Sequence, residues 1–414
     1  MKKGFYFQND VLYCDRVNLY ELALKTKTPF WVYSESVLKS GFLAWKNAFR
    51  ALNTTICYSV KSLSNINILK ILASLGSGFD IVSGGELFRV QKANGDMSKT
   101  VFAGVGKTET EIISALKANI RMFNCESFEE IQRINILASK MKKTANCAIR
   151  LNPDINPDTH HHITTGHKEN KFGILFDDLK KFIPKIKKFS RVNISGIHFH
   201  IGSQILSVKP FVESLKKVMF YIDRLTELGL EIHSINIGGG LGIPYQKDQK
   251  SLPVSELADS ILPLLRNRGL ELFVEPGRSI SAPAGILIVQ VQYIKKSGKK
   301  TFIITDGGMN DLIRPAFYNA YHEILPLRKH SGTIVADVVG PVCESSDFFA
   351  KDRTLSKIKQ GDFLAIMNSG AYGSVMSSRY NSRPFIAELI VSDNTVNIIR
   401  KNESLEDLIK NEVL

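Results

Sequence analysis

The sequence predicts an α/β protein: a (β/α)8 TIM-type barrel followed by a mostly-β C-terminal domain that can also take in an N-terminal strand. Three observations predict it. From about residue 55 to residue 275, short β-rich runs alternate with longer amphipathic stretches of helical period. The β-rich runs number eight, the number that closes a parallel barrel. After Pro276 the alternation stops, and strand-like runs follow one another through turns.

In chain order, residues 1–30 are the least patterned and are assigned to the β domain as an added strand. Residues 31–280 are assigned to the barrel. Its strand candidates are TTICYSV, GFDIV, TVFAG, IRMFN, ANCAIRL, VNISGIHFH, IHSINIG and LELFVE. Helical stretches between them include FEEIQRINILASKM (Phe128 to Met141) and PFVESLKKVMFYIDRLTEL (Pro210 to Leu228). A doubly wound open sheet is the rival arrangement, but it usually has fewer strands. Residues 281–414 are assigned to the β-rich domain. There GILIVQVQYIKKSGKKTFIITDGG reads as strands joined by a Gly-Lys turn, and FLAIMNSGAYG and AELIVSDNTVNIIR read as further strands.

The 414 residues are 44% hydrophobic and 23% charged, which is globular and enough for two domains. The five cysteines, Cys14, Cys57, Cys125, Cys147 and Cys343, are scattered and include no C-x-x-C pair. That favours free thiols in a reducing compartment and no structural zinc. The start, MKKGFYFQND, lacks the apolar region of a signal peptide, and no apolar run is long enough to span a bilayer. The expected location is the cytoplasm, with no membrane partner. The net charge of +14 raises nucleic acid as a partner. The lysines are spread in short pairs such as Lys180-Lys181, Lys187-Lys188 and Lys299-Lys300, without a basic block, so a solvated basic surface is expected instead.

Barrel chemistry lies on the loops after the strands' carboxyl ends. Lys61 follows the first strand. His198 and His200 end the sixth, two apart and so on one face. Gly238-Gly239-Gly240 follow the seventh, and Glu275-Pro276-Gly277-Arg278 the eighth. Each has a bland reading: a solvated lysine, a satisfied core histidine, or in GGGLG a partial dinucleotide fingerprint without its spacing. Together they point elsewhere. Glycines after strands seven and eight let backbone N–H groups approach a phosphate. A lysine able to form a Schiff base, a phosphate site, a histidine ring and a carboxylate for a pyridine nitrogen are the parts that hold pyridoxal phosphate. The tract His160-His161-His162, with His167 nearby, lacks a ligand spacing and reads as a polar loop, so no metal is expected.

The segments YSVKS, FDIVSGGEL, HFHIGSQ, NIGGGLGIPY, EPGRS, LIRPAFY, GPVCESSDFF and GAYG, in this order and spacing, resemble diaminopimelate decarboxylases, members of the alanine-racemase-like (fold-type III) pyridoxal-phosphate enzymes. The resemblance covers nearly the whole chain. It implies that Lys61 carries the cofactor, with Asp80 supporting its surroundings, and that His200 stacks on the ring. It implies that Ser203, Gly239, Gly240 and the backbone around Gly277 hold the phosphate, that Glu275 pairs with the pyridine nitrogen, and that Tyr372 and Arg278 also border the cofactor. Arg278, Arg314, Tyr318 and Tyr372 are implied to bind substrate, with guanidinium forks taking its carboxylates. Glu344 is implied to take the ammonium at its far end. Cys343 resembles the proton donor that completes the reaction, contributed by the partner subunit of a homodimer with shared active sites. The ESSD segment beside it suits a polar, protonated thiol better than a buried small hydrophobe.

The implied activity is decarboxylation of meso-2,6-diaminopimelate to L-lysine and carbon dioxide, the last step of lysine biosynthesis. The alternative keeps fold and cofactor but takes ornithine, arginine or carboxynorspermidine. The CESSD segment with Arg278 and Arg314 favours the first. A racemase needs an acid/base on each face of the α-carbon. A cofactor-carrier protein of this barrel type would lack the β domain and the cysteine segment. THHHITTGHKENKFGI is richer in histidine than the corresponding loop of the family.

Overall fold

Eight parallel strands close on themselves in one half of the molecule: Thr54–Ser59, Gly78–Ile81, Thr100–Phe102, Met122–Cys125, Ala145–Arg150, Val192–His198, Ser234–Asn236 and Glu271–Val274. The last pairs with the first, Leu272 lying opposite Thr54. The computed structural model describes residues 3–154 and 171–413. It divides into two units, one of Phe42–Ile243 and Lys250–Arg278, the other of Met1–Gly41, Pro244–Gln249 and Ser279–Leu414.

The barrel unit forms where short apolar runs meet strong helix starts. Ser83 caps Gly84–Lys92 by accepting the Glu86 N–H, and Ser127 caps Phe128–Lys140 by accepting that of Glu130. Thr108 and Glu111 form a reciprocal capping box before Glu109–Ala118. Ser83 and Ser127 each stand two residues beyond the end of a strand, so the chain there turns at once from strand to helix. Within the barrel, Cys57, Val101, Met122, Ala148 and Phe273 form one buried cluster from five different strands. Excluding such side chains from water, at about 25 cal/mol per Å2, is the main term favouring closure.

The second unit contains a nine-stranded sheet and a separate three-stranded meander of Phe5–Gln8, Val11–Cys14 and Val17–Asn18. Its longest strand, Gly285–Ser297, pairs first with Phe30–Ser34 and Phe363–Ile366, then with Lys300–Thr305 across a Gly298-Lys299 turn. Ala387–Ser392 and Thr395–Arg400, read as strands from the sequence, pair antiparallel as a hairpin. Leu19, Phe30, Val32, Ile286, Ile288, Leu327 and Leu389 belong to the core of this unit.

The boundary expected at residue 31 lies elsewhere. Phe30–Ser34 is buried along its whole length and pairs parallel with Ala387–Ser392 and antiparallel with Gly285–Ser297. A continuous apolar run identifies a buried strand but carries no information on which sheet it joins. The units divide at Gly41, within the helix Glu35–Ala48. The histidine tract His160–His162 and His167 lie outside the described residues. Among the described residues, no helix is long and apolar enough to cross a membrane.

Two stability predictions follow from the packing. A Cβ on Gly78 would stand 2.4 Å from the Lys99 carbonyl oxygen, a backbone atom that cannot swing aside. Gly78→Ala should cost about 1–3 kcal/mol as overpacking and lower the thermal midpoint by several degrees; an unchanged midpoint would refute the close approach. Asp311 is buried, and its carboxyl accepts the Gly308 N–H at 3.0 Å. Burial, opposed by the Gly308 bond and Arg383, pushes its pKa up to about 7, with Asp306 and Asp347 adding to the rise. In the unfolded chain it ionises near pH 4, as exposed aspartates do. Its contribution is therefore full below about pH 4 and lost as the pH rises through about 7. Denaturant titrations from pH 4.5 to 8.5 should show the protein losing stability relative to Asp311→Asn as pH rises. Parallel curves would show that Asp311 does not titrate in this range.

Candidate active site

At the carboxyl ends of the barrel strands, polar side chains form one network. The first strand ends at Ser59 and turns through Val60–Ser62, which carries Lys61. Lys61 Nζ donates to Asp80 Oδ2 at 2.8 Å, and Ser59 Oγ donates to the same oxygen at 2.9 Å. Asp80 lies in the second strand and is fully buried. Burial and the Glu275 charge push its carboxyl up, while Lys61 and Ser59 pull it back. Ser59 Oγ also donates to the Glu275 carbonyl at 3.0 Å, tying the first strand to the eighth.

Glu275 is buried just beyond the eighth strand. Its Oε1 accepts from Asn236 Nδ2 at 2.7 Å and Asn124 Nδ2 at 3.2 Å, and His198 Nε2 lies 3.5 Å from Oε2. Burial opposes its ionisation, but His198 and Lys61 outweigh that and hold its pKa below the usual carboxylate range. Asn124 and Asn236 were not singled out from the sequence. They lie at or next to the carboxyl ends of apolar strands, and a polar residue there in IRMFN and IHSINIG was the available signal.

His200 Nδ1 accepts the Gly239 N–H at 3.2 Å, which leaves the proton of a neutral ring on Nε2. Desolvation and the nearby cations Arg150 and Lys61 push its pKa well below the ordinary value, so the ring is neutral at pH 7. Its neighbour in the motif, His198, is buried against Glu275. Gly239 carries no side chain because a Cβ there would stand 2.1 Å from the Glu275 carbonyl oxygen. Gly240 adopts φ +109°, and its Cβ would meet the Gly202 carbonyl at 2.5 Å. Gly277 lies against Ser59 and Ser62, and Arg278 Nη2 donates to Ser203 Oγ at 3.0 Å. Lys61, Asp80, His200, Gly239 and Glu275 thus belong to one network, and Ser203 and Arg278 to a second pair. A buried, ionised carboxylate, a neutral imidazole, a lysine and bare glycine backbone suit a planar, phosphate-bearing group with a basic ring nitrogen.

Around the third to fifth strands runs a chain of buried charges that sequence reading also missed. Lys107 bonds Glu130 at 2.6 Å, Glu130 accepts the Glu126 N–H at 2.7 Å, and Glu126 bonds Arg150 at 2.7 Å. Through Arg150 this chain reaches His200 electrostatically.

The second unit carries the remaining candidates. Arg314 opens the short helix Arg314–Tyr318, is buried, and donates to the Tyr245 hydroxyl at 2.8 Å and the Ala371 carbonyl at 3.5 Å. The next residue, Tyr372, has φ +55°, a costly conformation for an aromatic residue and a common mark of functional sites. Tyr318 is half-buried, edge-on to Phe317. Cys343 and Glu344 lie side by side on an exposed loop, whereas Cys14, Cys57, Cys125 and Cys147 are buried.

Comparison with known proteins identifies the family. Residues 35–282 match the family described as "Pyridoxal-dependent decarboxylase, pyridoxal binding domain". The diaminopimelate decarboxylase of Aquifex aeolicus is 45% identical over 405 residues, 98% of this chain and 96% of the other. The diaminopimelate decarboxylase of Helicobacter pylori, solved in complex with L-lysine, superposes with a TM-score of 0.92 at 43% identity, covering 95% of this chain and 99% of that one. That of M. jannaschii, also in complex with L-lysine, gives 0.95 at 39% identity, with 99% and 98% covered. With a family match over more than half its length and relatives of this identity along nearly all of it, the chain belongs to the diaminopimelate decarboxylases within the pyridoxal-dependent decarboxylase family.

Proposed function

We propose that this protein decarboxylates meso-2,6-diaminopimelate to L-lysine and carbon dioxide, using pyridoxal phosphate held at the barrel's carboxyl-end network. The observation that carries the reading is Glu275: a buried carboxylate kept ionised, with two amide donors on one oxygen, in the same network as a lysine. Such a carboxylate keeps a pyridine nitrogen protonated. Bound pyridoxal phosphate supplies an electron sink for the pair left when carbon dioxide departs.

The chain's own residues do the rest. Lys61 anchors the cofactor, and Asp80 orients the lysine and balances its charge. His200, kept neutral, offers a flat face for stacking without a competing positive charge. Ser203, Gly239, Gly240, Gly277 and Arg278 hold the phosphate end. The substrate has a carboxylate and an ammonium at each end, so both cationic and anionic partners are needed. Arg278, Arg314, Tyr318 and Tyr372 serve its carboxylates, and Glu344 its distal ammonium. An ornithine-like substrate lacks the distal carboxylate and has less use for two arginines. After carbon dioxide leaves, the Cys343 thiol delivers a proton to the α-carbon, and solvent reprotonates the sulfur as lysine departs. The active form is a cytoplasmic homodimer with shared sites, in which Cys343 serves the other subunit's cofactor.

The reading is tested by incubating the protein and pyridoxal phosphate separately with meso-diaminopimelate, ornithine, arginine and carboxynorspermidine, with products followed by mass spectrometry. Lysine from the first and no product from the others is expected; product from another substrate instead would overturn the assignment of Glu344 and the arginines. For the proton donor, Cys343→Ala should keep the cofactor's visible absorbance and lose turnover by roughly 100-fold or more, the scale of a lost general acid. Full activity in that variant would remove Cys343 from the mechanism.

A further inference from the structure

Four consecutive residues of the Gly340–Asp347 loop, Cys343 to Ser346, are exposed, and only Val342 and Asp347 at its edges are buried. Apolar burial therefore cannot fix the direction of the thiol or of Glu344. Hydrogen bonds do. Asp347 Oδ2 accepts the Val342 N–H at 2.7 Å and its Oδ1 the Met309 N–H at 2.6 Å. The Glu344 N–H donates back to the Val342 carbonyl at 2.8 Å, and the Asp347 N–H to the Glu344 carbonyl at 3.0 Å. These bonds shape the loop but leave the Cys343 amide and the Glu344 carboxylate to be held from elsewhere.

Both are held by one turn far along the chain. The Cys343 N–H donates to Asn381 Oδ1 at 3.0 Å, and the Tyr380 hydroxyl donates to Glu344 Oε1. That turn is strained: Asn381 and Ser382 both have φ +53°, two successive non-glycine residues in the left-handed region. If the turn only reversed the chain, glycine would relieve the strain at Asn381. Asparagine tolerates the region better than most residues and adds the acceptor that Cys343 uses. The turn is also braced at both flanks. Arg379 forms a two-point pair with Glu403 at 2.6 and 3.1 Å, Glu403 accepts the Phe385 N–H at 3.0 Å, and Arg383 donates to the Asp306 carbonyl.

We propose that Asn381 and Tyr380 are positioning residues for the reaction: Asn381 fixes the Cys343 thiol through its backbone amide, and Tyr380 orients the Glu344 carboxylate. This rests on the roles of Cys343 and Glu344 proposed above. Tyr380 engages one oxygen of Glu344, leaving the other for the substrate's distal ammonium. The Glu344 carboxylate in turn raises the pKa of the Tyr380 phenol, so the hydroxyl stays a donor throughout the neutral range. The thiol's position and the carboxylate's aim then depend on two different side chains of one turn, and the two substitutions should separate catalysis from binding.

The test compares Asn381→Gly, Asn381→Asp and Tyr380→Phe with Cys343→Ala and Glu344→Gln as references, all as full-length protein with pyridoxal phosphate. Steady-state kinetics on meso-diaminopimelate and amide hydrogen exchange of residues 340–347 without substrate are the readouts. Asn381→Gly relieves the strained φ and removes the acceptor. It should lower kcat by roughly 10-fold or more with KM within about two-fold, and speed Cys343 amide exchange by about 10-fold, the scale of one lost hydrogen bond. Asn381→Asp keeps the acceptor and should restore both. Tyr380→Phe should raise KM about 10-fold with little change in kcat. The proposal is overturned if the turn variants leave kinetics and exchange unchanged while Cys343→Ala and Glu344→Gln are impaired; the functional reading then stands alone. It is also overturned if kcat, KM and thermal midpoint all worsen together, the signature of a merely structural turn. Full activity in Cys343→Ala would sink the cysteine's role itself, and with it the need to position the thiol.

Discussion

The barrel unit is organised around a carboxylate that ought not to be charged where it is. Glu275 is nearly inaccessible to water, and an isolated buried carboxylate would neutralise itself rather than bear the desolvation cost. It stays ionised because the ends of three other strands are given over to it. The fourth supplies Asn124, the seventh Asn236 and the sixth His198. The approach needed for these bonds brings the chain after the seventh strand so near the eighth that no side chain fits at Gly239. The glycine triplet, the two asparagines and the HFH pair are parts of one electrostatic solution.

The same charge governs its neighbours. It pushes up the Asp80 carboxyl, so Asp80 needs both Lys61 and Ser59 to remain a useful anion. The ion pair with Asp80 in turn orients the lysine. On the other flank, Arg150 and Lys61 keep His200 neutral, and Glu275 works against them. Arg150 is held in turn by Glu126, and the chain continues through Glu130 to Lys107. The like-charged neighbours Glu130 and Glu126 are each paired with a cation, Lys107 and Arg150, and Asp80 beside Glu275 is paired with Lys61, so negative charge does not accumulate unopposed in the interior.

The sequence shows the barrel well and the support of its site poorly, for physical reasons. The eight strands are legible because each is a short apolar run, and helices such as Gly84–Lys92, Glu109–Ala118 and Phe128–Lys140 between them carry their own caps, so local chemistry and global fold agree. Lys61, His200, the glycines and Glu275 are legible because barrel geometry says where to look. Asn124 and Asn236 are hidden, since an asparagine at the end of an apolar run reads equally as a turn residue. Phe30–Ser34 is not assigned to the β-rich unit from the sequence, because its partners in that sheet begin some 250 residues later and pairing leaves no local trace. Asn381 is hidden most deeply: nothing in RYNSRP points to a cysteine nearly forty residues earlier.

The two units therefore position chemistry by different means. In the barrel, burial and backbone contact do it, and nearly every substitution at Gly239, Asn236 or Glu275 would meet a wall. On the Cys343 loop the side chains are exposed, and direction comes from a few polar bonds to a braced turn. A site fixed by packing tolerates little change, whereas one fixed by hydrogen bonds can be re-aimed by altering a turn residue or the residue after the cysteine. On the proposed roles, cofactor chemistry rests on the first arrangement, and substrate choice and proton delivery on the second. On those roles, what must stay constant is fixed by packing, and what distinguishes one substrate from another is held by hydrogen bonds that a single substitution can redirect.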